Sequence, residues 1–388
     1  MLGSIYVGLS GLESYSRGLR SISNNVANLN TAGFKASSPS FYNLAGGGDP
    51  TEGGSGVGFR DASATFRQGE VRQTGGALDI AIQGEGVLVL LPSGGTGRTL
   101  YTRTGQFKLS DDGWLQDDAG HRLGVMQGGT LQALRIDTKR TNPPVATTSV
   151  KFTDNLSAGA TEHTLSNVDV FDATGTKTTL TLRLTSDFAN TAGRWKVVVE
   201  DSKGTKLKED ELIFDGNTPR SGKDKVSVDV TNAAGVTLAV ELDFSSGVTG
   251  FSAGTFSSLR VASQDGRAAG NLSAVSVTEA GEIKIDYDNG QNEILGAVGL
   301  ALFRDSQSLR DAGSGMLENV GTLAPAMLIS GQGGAGKIVP KSVEASNVDL
   351  SQEFGQLILV QRGFQASSQI INASNEMIQQ LFDMRGGR

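Results

Sequence analysis

Apolar residues recur at helical spacing at the two ends of this chain and nowhere else over a comparable length. Near the N-terminus, Ile5, Leu12, Leu19 and Val26 repeat every seven residues, with Leu9 beside them and Ile22 following. Such a stripe predicts a helix that packs along a partner helix. Within 341–388, Phe354, Leu357, Phe364, Ile371 and Ile378, joined by Ile358, Leu381 and Phe382, answer it at three- and four-residue steps. The opposite faces are unusual: among residues 1–38 the charges are Glu13, Arg17, Arg20 and Lys35, and the rest is largely Ser, Asn and Gly. A solvated helix face normally carries Glu and Lys, so both faces are expected to meet other protein. Gly3, Gly8, Gly11 and Gly18 each weaken an isolated helix by roughly 1 kcal/mol relative to Ala. Helices this poor in propensity draw their stability from packing, and both ends are expected to be largely disordered in a free monomer.

Between these ends the pattern turns to period two. Val87–Leu91, Tyr101–Leu109 and Trp114-Leu115 read as short strands, the last pair preceded by the turn Ser110-Asp111-Asp112-Gly113. A second set follows at Val275/Val277 and Ile283/Ile285/Tyr287, closed by the hairpin signal Asp288-Asn289-Gly290. The strands Leu180/Leu182/Leu184, Trp195/Val197/Val199, Val226/Val228/Val230 and Leu238/Val240/Leu242/Phe244 alternate cleanly with polar residues, as in sheets with one wet face. The fold class expected is therefore multidomain and mainly β, with long N- and C-terminal helices that pair, and the domains nested and discontinuous. Residues 1–38 and 341–388 form a terminal helical polymerisation domain. Residues 39–75 and 331–340 are Gly-rich connectors, 76–145 and 271–330 an inner β-domain, and 146–270 an outer β-domain inserted into it.

Composition narrows the function. At 388 residues the chain is too long for one ordinary core. A formal net charge of −7 argues against a nucleic-acid partner, which needs clustered Lys and Arg. Cysteine is absent, which removes thiol catalysis and thiolate metal sites, and two histidines, His121 and His163, leave little for His-based chemistry. The stretch MLGSIYVGLSGLESYS lacks a basic region and a long apolar run, so neither a secretory signal peptide nor a membrane-inserted segment is expected.

Two further motifs invite chemistry and read better as structure. Gly331-Gln332-Gly333-Gly334-Ala335-Gly336-Lys337 has the spacing of a phosphate-binding loop, but Ile338 stands where a Ser or Thr should bind Mg²⁺, and Pro340 would break the helix that caps the phosphate. The pairs Asp111/Asp112 and Asp117/Asp118 lie beside turn glycines, where Asp bonds to local backbone. No catalytic, cofactor or metal site is expected, and the chain is not read as an enzyme.

The most specific string is Ser23–Lys35, containing Asn24, Asn25, Asn28, Thr31, Gly33 and Phe34. On composition it is a helix C-terminus, with Asn28 and Asn30 suited to the left-handed conformation and Gly33 permitting a turn. As a whole it resembles the N-terminal signature of the bacterial flagellar rod and hook proteins. Glu344–Phe354, with Asn347, Val348 and Asp349, and the run Gln361-Arg362-Gly363-Phe364-Gln365-Ala366 resemble that family's C-terminal signature. Phe66–Gly69, Thr74–Ile82, Tyr101–Phe107 and Tyr287–Gln291 resemble its inner β-domain, and the large insertion at 146–270 is similar to hook rather than rod subunits.

The resemblance implies a non-enzymatic subunit without cofactor. It would polymerise into a short curved tube that transmits torque from rod to filament as a universal joint, located in the extracellular hook and exported through the flagellar type III channel without a cleaved signal. It also implies contacts with rod, cap, hook-filament junction and export proteins, and packing of the tube through Ile5, Leu9, Leu12, Leu19, Ile22, Val26, Phe354, Leu357, Phe364, Ile371 and Ile378. A distal rod protein and a secreted β-rich adhesin are the alternatives.

Overall fold

A computed structural model describes residues 2–44, 56–94, 97–188, 191–232 and 235–386. The chain divides into two compact units, one of residues 1–137, 275–285 and 293–388, the other of 138–274 and 286–292.

In the first unit the terminal segments are helices, α1 (Leu2–Ala27) and α2 (Leu350–Gly386), which lie against each other. Among the described residues of the stretch 39–75, expected as an irregular connector, three strands are present. Ser37–Asn43 (β1) and Val57–Ala64 (β2) pair antiparallel and pack on α1. Phe41 sets its ring 5.3 Å from Tyr15 of α1 and 5.8 Å from Phe59 of β2. The sequence reading missed this hairpin because its strands are rich in Ser and lack clean alternation; most glycines that suggested a connector, Gly46 to Gly48 with Gly53 and Gly54, lie outside the described residues. Farther on, Val71–Gln73 pairs with Ser342–Glu344 just before α2.

The second connector is corrected in the same way: Lys337–Pro340 is a strand paired antiparallel with Ile80–Gln83. The run beginning at Gly331 is accordingly a tight loop closed by the Gly331 N–H donating to the Gly336 carbonyl, followed by a strand and not a helix. It therefore lacks the helix N-terminus that a phosphate-binding loop uses.

The sheet of this unit centres on Val87–Leu91, a continuous apolar run whose first four residues are buried. Arg122–Gln127 and Leu100–Thr102 flank it, and Met316–Asn319 and Leu309–Gly313 continue the latter side, all antiparallel. The expected turn at Ser110–Gly113 forms, with Gly113 at φ +79°. Asp117 accepts from the His121 backbone N–H and ring, and Lys108 holds Asp118, so the second acidic pair is occupied by turn and surface contacts.

The second unit has a core of the ordinary kind. Glu162–Phe171, Lys177–Ser186, Arg194–Glu200 and Lys206–Asp215 form an antiparallel meander. A second sheet orders Lys225–Thr231, Thr237–Asp243, Ser149–Asn155 and Val248–Thr249, with Arg260–Gln264 also paired to Ser149–Asn155. Strict alternation places Val226, Val228 and Val230 inward and Lys225, Ser227, Asp229 and Thr231 outward. Both sheets contribute to one cluster containing Leu182, Trp195, Val240 and the stacked rings of Phe152 and Phe244, 4.4 Å apart.

Asp172 fastens a turn at the edge of this core. Its Oδ1 accepts from the Thr174 hydroxyl at 2.6 Å and from the Thr174 and Thr176 N–H groups, and its Oδ2 accepts from Asn232. The Thr174 hydroxyl bond leads, and with the backbone bonds and Asn232 it outweighs desolvation, lowering the carboxyl pKa to about 2. An unfolded Asp titrates near ~3.9. A folded pKa below the unfolded value makes the contribution full above roughly pH 4 and lost as pH falls through the folded value. Asp172→Asn is therefore expected to destabilise the second unit at neutral pH, with the difference from wild type closing between about pH 4 and pH 2. Thermal unfolding across that range checks it, and a gap independent of pH would contradict the assignment.

Candidate self-assembly surface at the chain termini

The seam between α1 and α2 is built from small and polar side chains. On α1 the buried positions are Gly8, Gly11, Ser14, Gly18, Ile22 and Asn25, and on α2 Glu353, Val360, Ser367 and Ser374, the latter repeating every seven residues. Three glycines that weaken α1 as an isolated helix are thereby explained. A Cβ on Gly8 would stand 2.7 Å from Ile371 Cγ1, one on Gly18 would stand 2.8 Å from the Phe41 ring, and one on Gly11 would meet Ser367. On the other helix a Cβ at Gly363 would stand 2.5 Å from the Tyr15 ring. Hydrogen at Gly8, Gly11 and Gly363 lets the two helices approach, while at Gly18 it makes room for the Phe41 ring of β1, and the heptad spacing keeps the contact in line along both helices.

The large apolar residues lie elsewhere on the same helices. Of the residues expected to pack, only Ile22 is fully buried; Ile5, Leu12, Leu19, Val26, Leu357, Ile371 and Ile378 are half-buried along the margins of the seam, and Leu9, Phe354 and Phe364 are exposed. Tyr6 is 74% exposed, and Ile358, Leu359, Ile370, Met377, Leu381 and Phe382 face solvent along α2. The pair is thus arranged opposite to an ordinary coiled coil, with small polar groups within and large apolar groups outside.

The segments that flank the helices join the two ends of the chain by hydrogen bonds. Asn25, fully buried, spans the backbone of Ser37, donating to its carbonyl at 2.9 Å and accepting from its N–H at 3.0 Å, and donates to Glu353 Oε1 at 3.0 Å. After α1 the chain turns through a local network: the Asn28 amide donates to the carbonyl and side chain of Asn24, and the Thr31 hydroxyl donates to Asn28. Neither Asn28 nor Asn30 takes the left-handed conformation; Gly33 does, at φ +70°, where a Cβ would stand 2.5 Å from the Thr104 nitrogen. Phe34 is buried beside this turn.

From the other end Asn347 accepts from the Ala36 N–H and donates to the Thr65 and Arg67 carbonyls. Asp349 caps α2 by accepting from the Ser351 and Gln352 N–H groups. Val348 is half-buried, and Asn24, Gln361 and Arg362 are exposed.

At the centre of this junction is a buried carboxylate that motif reading did not single out. Glu344 is fully buried and accepts from Lys35 Nζ at 2.5 Å, the Gly69 N–H at 2.7 Å and Arg103 at 3.1 Å. Lys35 also donates to the Arg67 carbonyl, and Arg103 donates to the Gly84 carbonyl. Desolvation by burial lowers the Lys35 pKa against the opposing pull of Glu344. Glu344 and Lys35 do lie inside the two quoted signatures, but nothing in sequence spacing connects either with Arg103. No group of His, Cys, Asp or Glu suited to hold a metal ion occurs among the described residues.

Comparison with known proteins bears on the same segments. Residues 5–35 match the family described as flagella basal body rod protein, 81–154 the flagellar hook protein FlgE/F/G D1 domain, and 339–384 the flagellar basal body rod FlgEFG protein C-terminal family. The chain is similar over nearly its whole length to the flagellar hook protein FlgE of Treponema pallidum, at 27% identity over 99% of this chain and 100% of that one. It is 28% identical to the same protein of Salmonella typhimurium, over 97% of this chain and 98% of that one. Its fold is similar to the crystal structure of Helicobacter pylori flagellar hook protein FlgE2, with a TM-score of 0.50 and 16% identity, over 71% of this chain and all of that one.

Two outcomes are expected from this geometry. Glu344→Ala leaves Lys35 and Arg103 buried without their counter-ion and is expected to destabilise the first unit by about 3–5 kcal/mol; urea unfolding followed by far-UV circular dichroism measures it, and a loss near zero would contradict the buried cluster. Gly363→Leu is expected to part α1 from α2 at a cost of about 1–3 kcal/mol. Gly355→Leu, on the same helix with open space around it, is expected to leave the pair intact, and proteolysis of the terminal segments reads out both.

Proposed function

We propose that this chain, which belongs to the family of bacterial flagellar rod and hook proteins, is a structural subunit of the flagellar hook that polymerises through its paired terminal helices. The observation that carries this reading is the inverted arrangement of α1 and α2. Burying one large apolar side chain is worth roughly 1.5–3 kcal/mol, and the helix pair leaves more than ten of them uncovered while using Gly, Ser and Asn for its internal contact. A subunit that holds its main apolar surface outside gains that free energy when neighbouring copies cover it.

The remaining parts of the proposal extend this reading with what the similarity to hook proteins implies. The half-buried margin of Ile5, Leu12, Leu19, Val26, Leu357, Ile371 and Ile378 joins the exposed row of Leu9, Phe354 and Phe364 to form the contact between copies. The tube so formed carries torque from rod to filament while bending, meets rod, cap and junction proteins at its ends, and is assembled from chains exported through the flagellar channel without a cleaved signal. Its role is structural. Full-length similarity to proteins named as hook subunits supports the hook over the rod, and an adhesin would not need a polymer-forming pair of ends.

Immunogold labelling with antibody raised against residues 146–270 is expected to mark a short curved segment at the filament base. That label is expected to disappear in cells whose only copy carries Leu12→Asp or Phe364→Asp, because a charge there cannot be covered by a neighbouring copy without desolvation. Label within the envelope or scattered over the surface, or normal assembly of both variants, would overturn the reading.

A further inference from the structure

The two longest uncharged runs in the sequence are 244–259 and 319–336, and neither belongs to the terminal helices. Outside those helices and the β1–β2 hairpin, seven large apolar side chains are prominently exposed among the described residues, and five of them fall in these two runs. Phe251 and Phe256 (75% exposed) lie in the first, and Val320, Leu323 (71% exposed) and Met327 in the second.

The first run is a rigid projection. Asn155 donates to the Phe251 carbonyl at 2.9 Å and accepts from the Phe251 N–H at 2.8 Å. Ser157, fully buried, donates to the Gly254 carbonyl at 2.6 Å and accepts from the Ala253 N–H at 2.9 Å, while its own N–H reaches Ser257. A loop tied at both flanks and its middle holds two phenylalanines outward, so that little side-chain or backbone entropy remains to be lost when they are covered. The second run borders a hollow of about 850 Å³ with apolar walls from Leu302, Phe303, Leu323 and Pro325 and charged groups from Glu85, Arg304 and Asp305.

We propose that the Phe251/Phe256 projection of one copy seats in the Leu323-bordered hollow of a second copy, a contact that rests on the polymer reading above. Two different patches that complement each other make a heterologous contact, which propagates into an open helical array instead of closing on a dimer. Each copy carries a net charge of −7 and repels its neighbours, so an attractive contact is best led by the uncharged runs 244–259 and 319–336, although Glu85, Arg304 and Asp305 also line the hollow. Preorganised aromatic anchors entering a pocket are the usual form of an interface hot spot.

The chain has no cysteine, which makes site-specific cross-linking clean. Full-length chains bearing Phe256→Cys are mixed with chains bearing Leu323→Cys, polymerised, and treated with a short bismaleimide. Cross-linked pairs are expected only when both variants are present, and a ladder of multiples when one chain carries both substitutions. The double variant Phe251→Ser/Phe256→Ser is expected to raise the concentration needed for polymerisation about tenfold or more. Three results would overturn the contact alone: polymer that forms without this cross-link, Phe256→Cys chains that cross-link to one another, or an unchanged threshold in the serine variant. A wild-type chain that never polymerises would overturn the polymer reading and the contact with it.

Discussion

Burial of the Glu344 carboxylate is the interaction around which the first unit is organised. A charge removed from water is stable only where its lone pairs are met and its charge is opposed. Here the requirement is met by groups from distant parts of the chain: the Lys35 ammonium just after the α1 turn, the Gly69 N–H beyond the β1–β2 hairpin, and the Arg103 guanidinium after the strand Leu100–Thr102. Because Glu344 lies a few residues before α2, satisfying it brings both helices to a common root. The Gly33 turn serves the same end, since its N–H donates to the Glu344 carbonyl at 2.7 Å.

From that root the helices run together along a seam with little apolar content. Close approach at Gly8 and Gly11 defines the register, while Asn25 and Glu353 pin it at the rooted end. The Glu353 Oε2 and Gln356 Oε1 atoms are buried there without a protein donor, a further mark of a contact that specifies more than it stabilises. The apolar surface such a hairpin would ordinarily hide is left for other copies, so pairing within a subunit and association between subunits draw on different faces of the same two helices.

The second unit answers a different demand. Its two sheets share a core with Phe152, Trp195 and Phe244 fully buried, and its outer faces carry ion pairs such as Lys225 with Glu241 and Arg183 with Glu200. Exposed pairs of this kind add little stability, with a median of about 0–1 kcal/mol, but they keep a sheet face soluble. A unit stabilised by its own core can differ in its surface without disturbing the helices, which leaves its exposed projections available for contacts of their own.

Much of this was legible in the residues themselves. Period-two alternation located the strands of the second unit, because inward and outward positions of a half-buried sheet differ in chemistry residue by residue. Apolar residues at helical spacing located both helices, and the Asn-rich and Gln-Arg-Gly strings carried the resemblance to flagellar rod and hook proteins. The apolar stripe, however, lies beside the contact within the chain and not in it. Ile5, Leu12, Leu19 and Val26 only flank the intrachain seam, and the signal for that seam was Gly8 and Gly11, which also read as poor helix propensity. Whether a glycine weakens a helix or admits a partner depends on what lies opposite it. The union of Glu344 with Lys35 and Arg103 was likewise decided by tertiary structure, because Glu344 lies hundreds of residues from both and a one-dimensional pattern carries no record of which distant donor meets which buried acceptor.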